Sequence, residues 1–297
     1  MALYGIHPIV PTPFDDAGRI DVESIQRLAR FLVERSVHGV AVLGVMGEAH
    51  KLSETEQQQV IAGFRSALPE TIELVVGVRA GGTDPAVLAA RTAAQLGATA
   101  LLVGPPTIQS DDAIFTYYRR IGEAVELPLI VHDYPASTGI LMTAPLLARM
   151  YREIDNVHYV KLEDPPTGPK IAKLQDLAGI DFGVFGALGG ALAFEELDRG
   201  AVGIMTGFAY PEWLLDIYHR YQSGDVDGAA RVFYDVLPLI RFEFQPGLGV
   251  SLRKHILVRR GVIATPRVRH PGMEADPATL RHLDRILEHL RGRGYAV

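Results

Sequence analysis

Val157-His158-Tyr159-Val160-Lys161-Leu162-Glu163, with Asp164-Pro165-Pro166 directly behind it, is a short β-branched, apolar run closed by turn formers. It reads as a strand that ends in a chemical handle, the lone lysine Lys161. The residues after the turn, Thr167 to Leu177, have helical period, so the stretch forms one strand–helix unit. The same unit recurs along the chain. Apolar runs occur at Gly5 to Val10, Val37 to Leu43, Leu74 to Val78, Ala100 to Val103, Leu129 to Val131, Val157 to Leu162, Phe182 to Phe185 and Ala201 to Met205. Amphipathic segments follow them near Asp21 to Arg35, Glu54 to Leu68, Asp84 to Leu96, Asp111 to Val125, Ala144 to Tyr151, Thr167 to Leu177, Leu188 to Arg199 and Pro211 to Tyr221. Strands joined by crossover helices form a parallel sheet, and eight units predict a closed (β/α)8 TIM barrel over residues 1–224. After Gly224 the strand signals stop, and Asp225 to Ile240, Gly249 to Arg260 and Pro277 to Arg291 predict a C-terminal helical appendage over residues 225–297. Ser53-Glu54-Thr55-Glu56 is a capping box at a helix start.

The chain of 297 residues has no cysteine, which excludes a disulfide scaffold and thiolate chemistry and fits a reducing, cytoplasmic setting. No basic leader precedes an apolar stretch, and no run of about 18 apolar residues occurs. A net charge of −6 argues against nucleic acid or an anionic membrane as partner. Basic residues cluster late, at Arg253-Lys254, Arg259-Arg260 and Arg267 to His270, where a solvated helix face or a subunit contact is expected.

Chemistry in a (β/α)8 barrel sits at the mouth formed by the strands' C-terminal ends. Lys161 ends strand six, and Glu48, Arg79, His132 and Thr206 lie at or just beyond other strand ends, so all are expected to face one mouth. An ordinary lysine is neutral in about one molecule in 2,500 at pH 7, so a nucleophilic amine needs its pKa lowered by about three units, roughly 4 kcal/mol. Desolvation in an apolar pocket supplies a shift of that size. The plain alternative is a strand-end lysine whose head reaches water.

Gly44-Val45-Met46-Gly47-Glu48 after strand two, Gly104-Pro105-Pro106 after strand four, His132 to Gly139 after strand five and Lys161 on strand six together resemble the dihydrodipicolinate synthase and N-acetylneuraminate lyase family of Schiff-base aldolases. Thr12-Pro13-Phe14, Gly18, Leu52-Ser53 and Gly200-Ala201-Val202-Gly203 extend the resemblance over nearly the whole chain. It implies a barrel usually assembled as a homotetramer, in which Lys161 condenses with the keto group of pyruvate or a related 2-keto acid. It implies no cofactor or metal.

Several positions depart from the family's pattern. Val45 and Met46 replace the threonines of its carboxylate-binding loop, leaving backbone N–H groups to bind the acid but no hydroxyl relay. His132 stands at the catalytic tyrosine's position, and Pro106 or Thr107 where a second tyrosine is usual. With an ordinary pKa near 6.5, His132 would populate both protonation states and serve as acid or base; a structural role is the alternative. Glu163, two residues beyond Lys161, faces the same side and is either protonated, turned away, or ion-paired with the lysine, with a proton shuttle at substrate C3 or C4 as its catalytic option. Ser137 occupies the place of an arginine that grips the second substrate in dihydrodipicolinate synthesis, which argues against that reaction; loss of the tyrosine argues against neuraminate cleavage. Arg79 after strand three is a candidate for binding a substrate acid group, and Met205 and Thr206 at the end of strand eight are candidate substrate contacts. The glycines of Phe185 to Gly190 serve either a phosphate or tight packing.

The expectation is a class I lyase acting on a 2-keto acid by aldol cleavage, aldol addition or dehydration of a 2-keto-3-deoxy sugar acid. The rivals are a metal-dependent aldolase using His132, Asp133, Glu163 and Asp164, and a barrel that binds a keto acid without turnover.

Overall fold

Strand–helix alternation runs through the computed structural model of the chain, which describes residues 2–297. The strands are β1 Gly5–Pro8, β2 Gly39–Val42, β3 Glu73–Val78, β4 Ala100–Val103, β5 Leu129–Asp133, β6 Val157–Leu162, β7 Gly183–Gly186 and β8 Gly203–Thr206. Each pairs in parallel with its sequence neighbours, and β8 returns to β1 through Gly5 opposite Gly203. The ring closes between β1 and β2 by an Ile9–Ala41 bridge and by Val10 N–H donating to Ala41 O at 3.0 Å. A closed ring leaves no sheet edge exposed.

The helices are α1 Val22–Glu34, α2 Glu54–Ala67, α3 Thr83–Gln95, α4 Asp111–Gly122, α5 Pro135–Thr138, α6 Ala144–Glu153, α7 Thr167–Ala178, α8 Ala193–Asp198, α9 Pro211–Gln222, α10 Val226–Glu243, α11 Gly249–Arg259 and α12 Pro277–Gly292. Their starts carry local signals: Asp21, Ser53, Ser110, Thr143, Asp225 and Asp276 each accept a backbone N–H with the side chain. The capping box at Ser53 and Glu56 is formed from both sides.

Period-two alternation sorts the strand residues into two cores. Inward residues, among them Ala41, Val75, Leu102, Ile130, Tyr159, Phe185 and Met205, fill the barrel; outward residues such as Val131, Val160 and Leu162 pack under the helices. His132 shares the inward side with Ile130, and Lys161 with Tyr159. At the top of β5 and β6 the two are register partners.

Of the late basic cluster, Arg259, Arg267 and His270 are exposed, whereas Arg253 and Lys254 depart from the expectation of a solvated face. Arg253 is 3% exposed and Lys254 0%, both enclosed within one chain on α11. That helix is buried at four successive positions, Ser251 to Lys254, so it has no polar face there for a charge to occupy. Arg269 and Arg267 bind the carbonyls of Gly18 and Asp16, and Arg269 also pairs with Glu56, tying the C-terminal segment back to the barrel.

Candidate active site

Lys161 is 3% exposed at the C-terminal end of β6. Burial pushes its ammonium down to about 7. Its Nζ lies 3.1 Å from His132 Nε2 and contacts Glu163 Oε1, while His132 Nε2 lies 3.0 Å from the same oxygen. One imidazole nitrogen therefore faces both an amine and a carboxylate. In one tautomer it donates to Glu163; in the other it accepts from Lys161. Of the options for Glu163, the arrangement is contact with the lysine.

Both protonation states of His132 were expected near neutrality, and the structure corrects this. Burial, then the charges of Lys161 and Arg79, hold its pKa well below the ordinary value, which favours the neutral imidazole. Tyr134, two residues on and hence on the same side of the chain, stacks on His132 with ring centres 5.8 Å apart, and Lys161 Nζ lies 5.9 Å from its centroid.

These groups line a narrow cleft of about 50 Å³ together with Val45, Met46 and Thr206. Arg79 and Ser137 stand farther out, lining with His132 a chamber of about 580 Å³ at the mouth; Arg79 is exposed, and its Nη2 reaches Ser137 O at 3.4 Å. Met205 does not reach the cleft. Its side chain points into the apolar filling of the barrel one layer below. Gly189 does line the cleft, and a Cβ there would overlap the Phe244 ring, so tight packing accounts for that glycine.

Glu48 also departs from expectation: it is absent from the Lys161 cleft and is taken up by basic partners. It is 1% exposed and accepts from Lys254 Nζ at 2.7 Å, Lys51 Nζ at 2.8 Å and the Arg269 N–H at 2.9 Å. Burial works against its ionised form, but these donors outweigh it and hold the carboxyl below its usual range. Lys254, in turn, sits 4.3 Å from the Phe14 ring centre, and Thr12 Oγ1 donates to Gly47 O at 2.6 Å. Thr12 thus holds the Val45–Gly47 turn directly, and Glu48, its C-cap, ties it to Lys254, which packs on Phe14.

His132 and Glu163 converge on Lys161, whereas Asp133 and Asp164 lie outside the barrel wall, accepting from Lys170 at 2.6 and 2.8 Å. The four groups of the metal-aldolase alternative are split between two places. Sequence reasoning missed Tyr134 and Arg253 as cleft residues. The period-two offset from His132 was a signal for Tyr134; Arg253, far along the chain on a helix buried all round, had none.

The sequence profile of the dihydrodipicolinate synthetase family matches residues 2–290. The chain belongs to that family. Among its family relatives, an L-2-keto-3-deoxyarabonate dehydratase of Azospirillum brasilense is 32% identical over 292 residues, covering 96% of this chain and 94% of that protein. A 4-hydroxy-tetrahydrodipicolinate synthase of Methanopyrus kandleri is 29% identical over 298 residues, 96% of each chain. The crystal structure of dihydrodipicolinate synthase from Rhodopseudomonas palustris superposes with a TM-score of 0.92 at 33% identity, covering 97% of both chains. This family member is accordingly a lyase on a TIM barrel, and none of its helices is long and apolar enough to cross a membrane among the described residues.

Proposed function

We propose that the protein is a class I lyase in which Lys161 forms a Schiff base with pyruvate or a related 2-keto acid. The observation that carries this reading is a buried primary amine at the barrel mouth, brought to a pKa of about 7 and set 3.1 Å from a neutral imidazole. The neutral amine adds to substrate C2, the carbinolamine loses water, and the resulting iminium draws electrons from the bond at C3. The N–H groups of Val45 and Met46 hold the carboxylate. They precede the first bond of their turn, Gly47 N–H to Gly44 O, so that turn leaves them unpaired. His132 takes a proton at C3, with Glu163 receiving it through the shared nitrogen. Thr206 contacts the substrate in the cleft, and Arg79 and Ser137 meet its distal end in the outer chamber.

The same enamine serves aldol cleavage, aldol addition and loss of a C4 hydroxyl as water. Two proton-carrying groups beside the amine, together with the activity named for the A. brasilense relative, support 2-keto-3-deoxy sugar acid dehydration as the second reading. Ser137 in place of the second-substrate arginine argues against dihydrodipicolinate formation. A keto-acid-binding barrel without turnover has no use for an amine at this pKa. Borohydride added with pyruvate should leave a reduced adduct on Lys161, read by peptide mass spectrometry. A folded protein that gives none across a panel of 2-keto acids would sink the reading; binding by calorimetry without turnover would favour the binding barrel instead.

A homotetramer in a cytoplasmic setting belongs to the same reading. Ile108 and Leu141 are 53% and 58% exposed on two loops joined by Gln109, whose side chain donates to Leu141 O at 2.9 Å and accepts its N–H at 2.8 Å. A second copy covering this apolar patch accounts for its exposure. Sedimentation of the wild type against Leu141→Asp tests it, with a shift to smaller species expected in the variant.

A further inference from the structure

Arg253 reaches the cleft from α11, and its surroundings are arranged around its head group. Nε donates to Glu243 Oε2 at 3.1 Å, and Nη1 approaches Met46 Sδ at 3.1 Å. A guanidinium carries five N–H groups, and thioether sulfur is a weak acceptor. Nη2 has no hydrogen bond to the protein, yet it is not among the sealed, unpaired polar atoms of the interior. The residue is only 3% exposed, and the spaces it borders include the cleft it lines with Lys161, Val45 and Met46 and a neighbouring cavity of about 540 Å³ that it shares with Val45, Met46 and Tyr134.

Two glycines keep the slot open. At Gly207 a Cβ would stand 2.9 Å from Ile9 O, 3.1 Å from Met46 Cγ and 3.6 Å from Arg253 Nε. At Gly249 it would strike the Glu243 carbonyl and come within 3.2 Å of Arg253 Nη1. Glu243, fully buried, supplies the counter-charge through one oxygen, which also accepts the Ala209 N–H at 3.2 Å; its other oxygen has no partner. A single counter-ion on the Nε side leaves the Nη edge without a charged partner, next to Met46 and within a cleft that Val45 also lines.

We infer that Arg253 is the anion clamp of this site: its Nη edge and the N–H groups of Val45 and Met46 together hold the carboxylate of the 2-keto acid and so present the keto carbon to Lys161. This deepens the Schiff-base reading and rests on it. The planar fork suits a carboxylate, and it supplies donors where Val45 and Met46 bring no hydroxyl. A 2-keto acid is thereby selected over a neutral ketone of the same size.

The test compares pyruvate with hydroxyacetone, which offers a carbonyl but no carboxylate. Full-length wild type, Arg253→Lys, and the double variant Arg253→Gln with Glu243→Gln, which removes both buried charges together, are titrated with each compound. Borohydride adduct and calorimetric binding are both read. The half-saturating concentration of pyruvate should rise about tenfold or more in the double variant and less in Arg253→Lys, with that of hydroxyacetone unchanged. An unchanged pyruvate response, or parallel loss of both compounds, overturns the clamp; should the double variant not fold, Arg253→Lys is judged by the same pyruvate-specific shift. Wild type that binds pyruvate without an adduct would refute the Schiff base while the calorimetric shift still judged Arg253, and wild type that binds neither compound would refute both.

Discussion

At the scale of single residues, the site depends on how burial changes two titratable groups. Lys161 and His132 are adjacent in register, and both lose water, which penalises the charged form of each. The amine falls to about 7 and the imidazole well below its ordinary value, so burial disfavours two cations side by side, as the proposed nucleophile and base require. A lysine with a lowered pKa is protonated below that value and free above it. The rate of adduct formation should therefore climb with pH through about 7 and level off above, falling about tenfold per unit on the acid side; stopped-flow or timed borohydride quenching measures it. A flat profile from pH 5 to 9 would mean the amine is not the titrating nucleophile. His132→Asn should still trap pyruvate but exchange its methyl protons with deuterated solvent roughly 100-fold more slowly by NMR, in line with removal of a general base. Equal exchange would move the base role to Glu163 or Tyr134.

At the scale of elements, the Val45–Gly47 turn is held by contacts of long sequence separation. Leu43 and Glu48 take left-handed backbone angles on either side of it, with φ of 57° and 54°, conformations that side chains other than glycine adopt only when the surroundings impose them. For Glu48 the surroundings include the ion pair with Lys254 of α11, both shut away from solvent. Removing Lys254 leaves Glu48 Oε1 without that donor while Lys51 and the Arg269 N–H still hold Oε2, at a cost of about 1–3 kcal/mol. Lys254→Met should lower the urea midpoint accordingly and also raise the pyruvate concentration needed for trapping, because the turn loses its anchor. Loss of stability without any change in trapping would show that the turn keeps its shape unaided.

Across the whole molecule, the helices after Gly224 are an appendage in sequence order, but α10 and α11 supply Glu243, Arg253 and Lys254 to the region around the cleft. Their buried charges, with Glu196 under β7, make stability depend on pH. Glu196 is 0% exposed, and burial, outweighing contacts from Thr167 and the Ala187 backbone, pushes its carboxyl up to about 8. A carboxyl whose pKa is raised on folding favours the native state most while the unfolded chain is also protonated, and that advantage is lost as pH rises from the unfolded value of 4.5 to the folded value of about 8. Glu196→Gln does not ionise. Its melting temperature relative to wild type should therefore become steadily more favourable between those two pH values, as calorimetry can measure, and a constant difference would mean that Glu196 does not titrate.

Local chemistry determined a good deal of this. The periods of two and 3.6, the capping side chains and the turn formers lie within a few residues of one another, so eight strand–helix units, their boundaries to within a few residues and the barrel were all legible in the chain. Lys161, His132 and Glu163 were legible too, since strand ends mark the mouth and alternation sets the inward side. Tertiary structure alone decided that burial holds the His132 pKa down, that Glu48 pairs with Lys254 of α11, that Met205 lies beneath the cleft, and that Arg253 lines it. Each of these depends on which distant atoms exclude water from a group or pair with it. Glu48 and Lys254 are 206 residues apart, and no local pattern carries the dielectric or the partner that only packing creates.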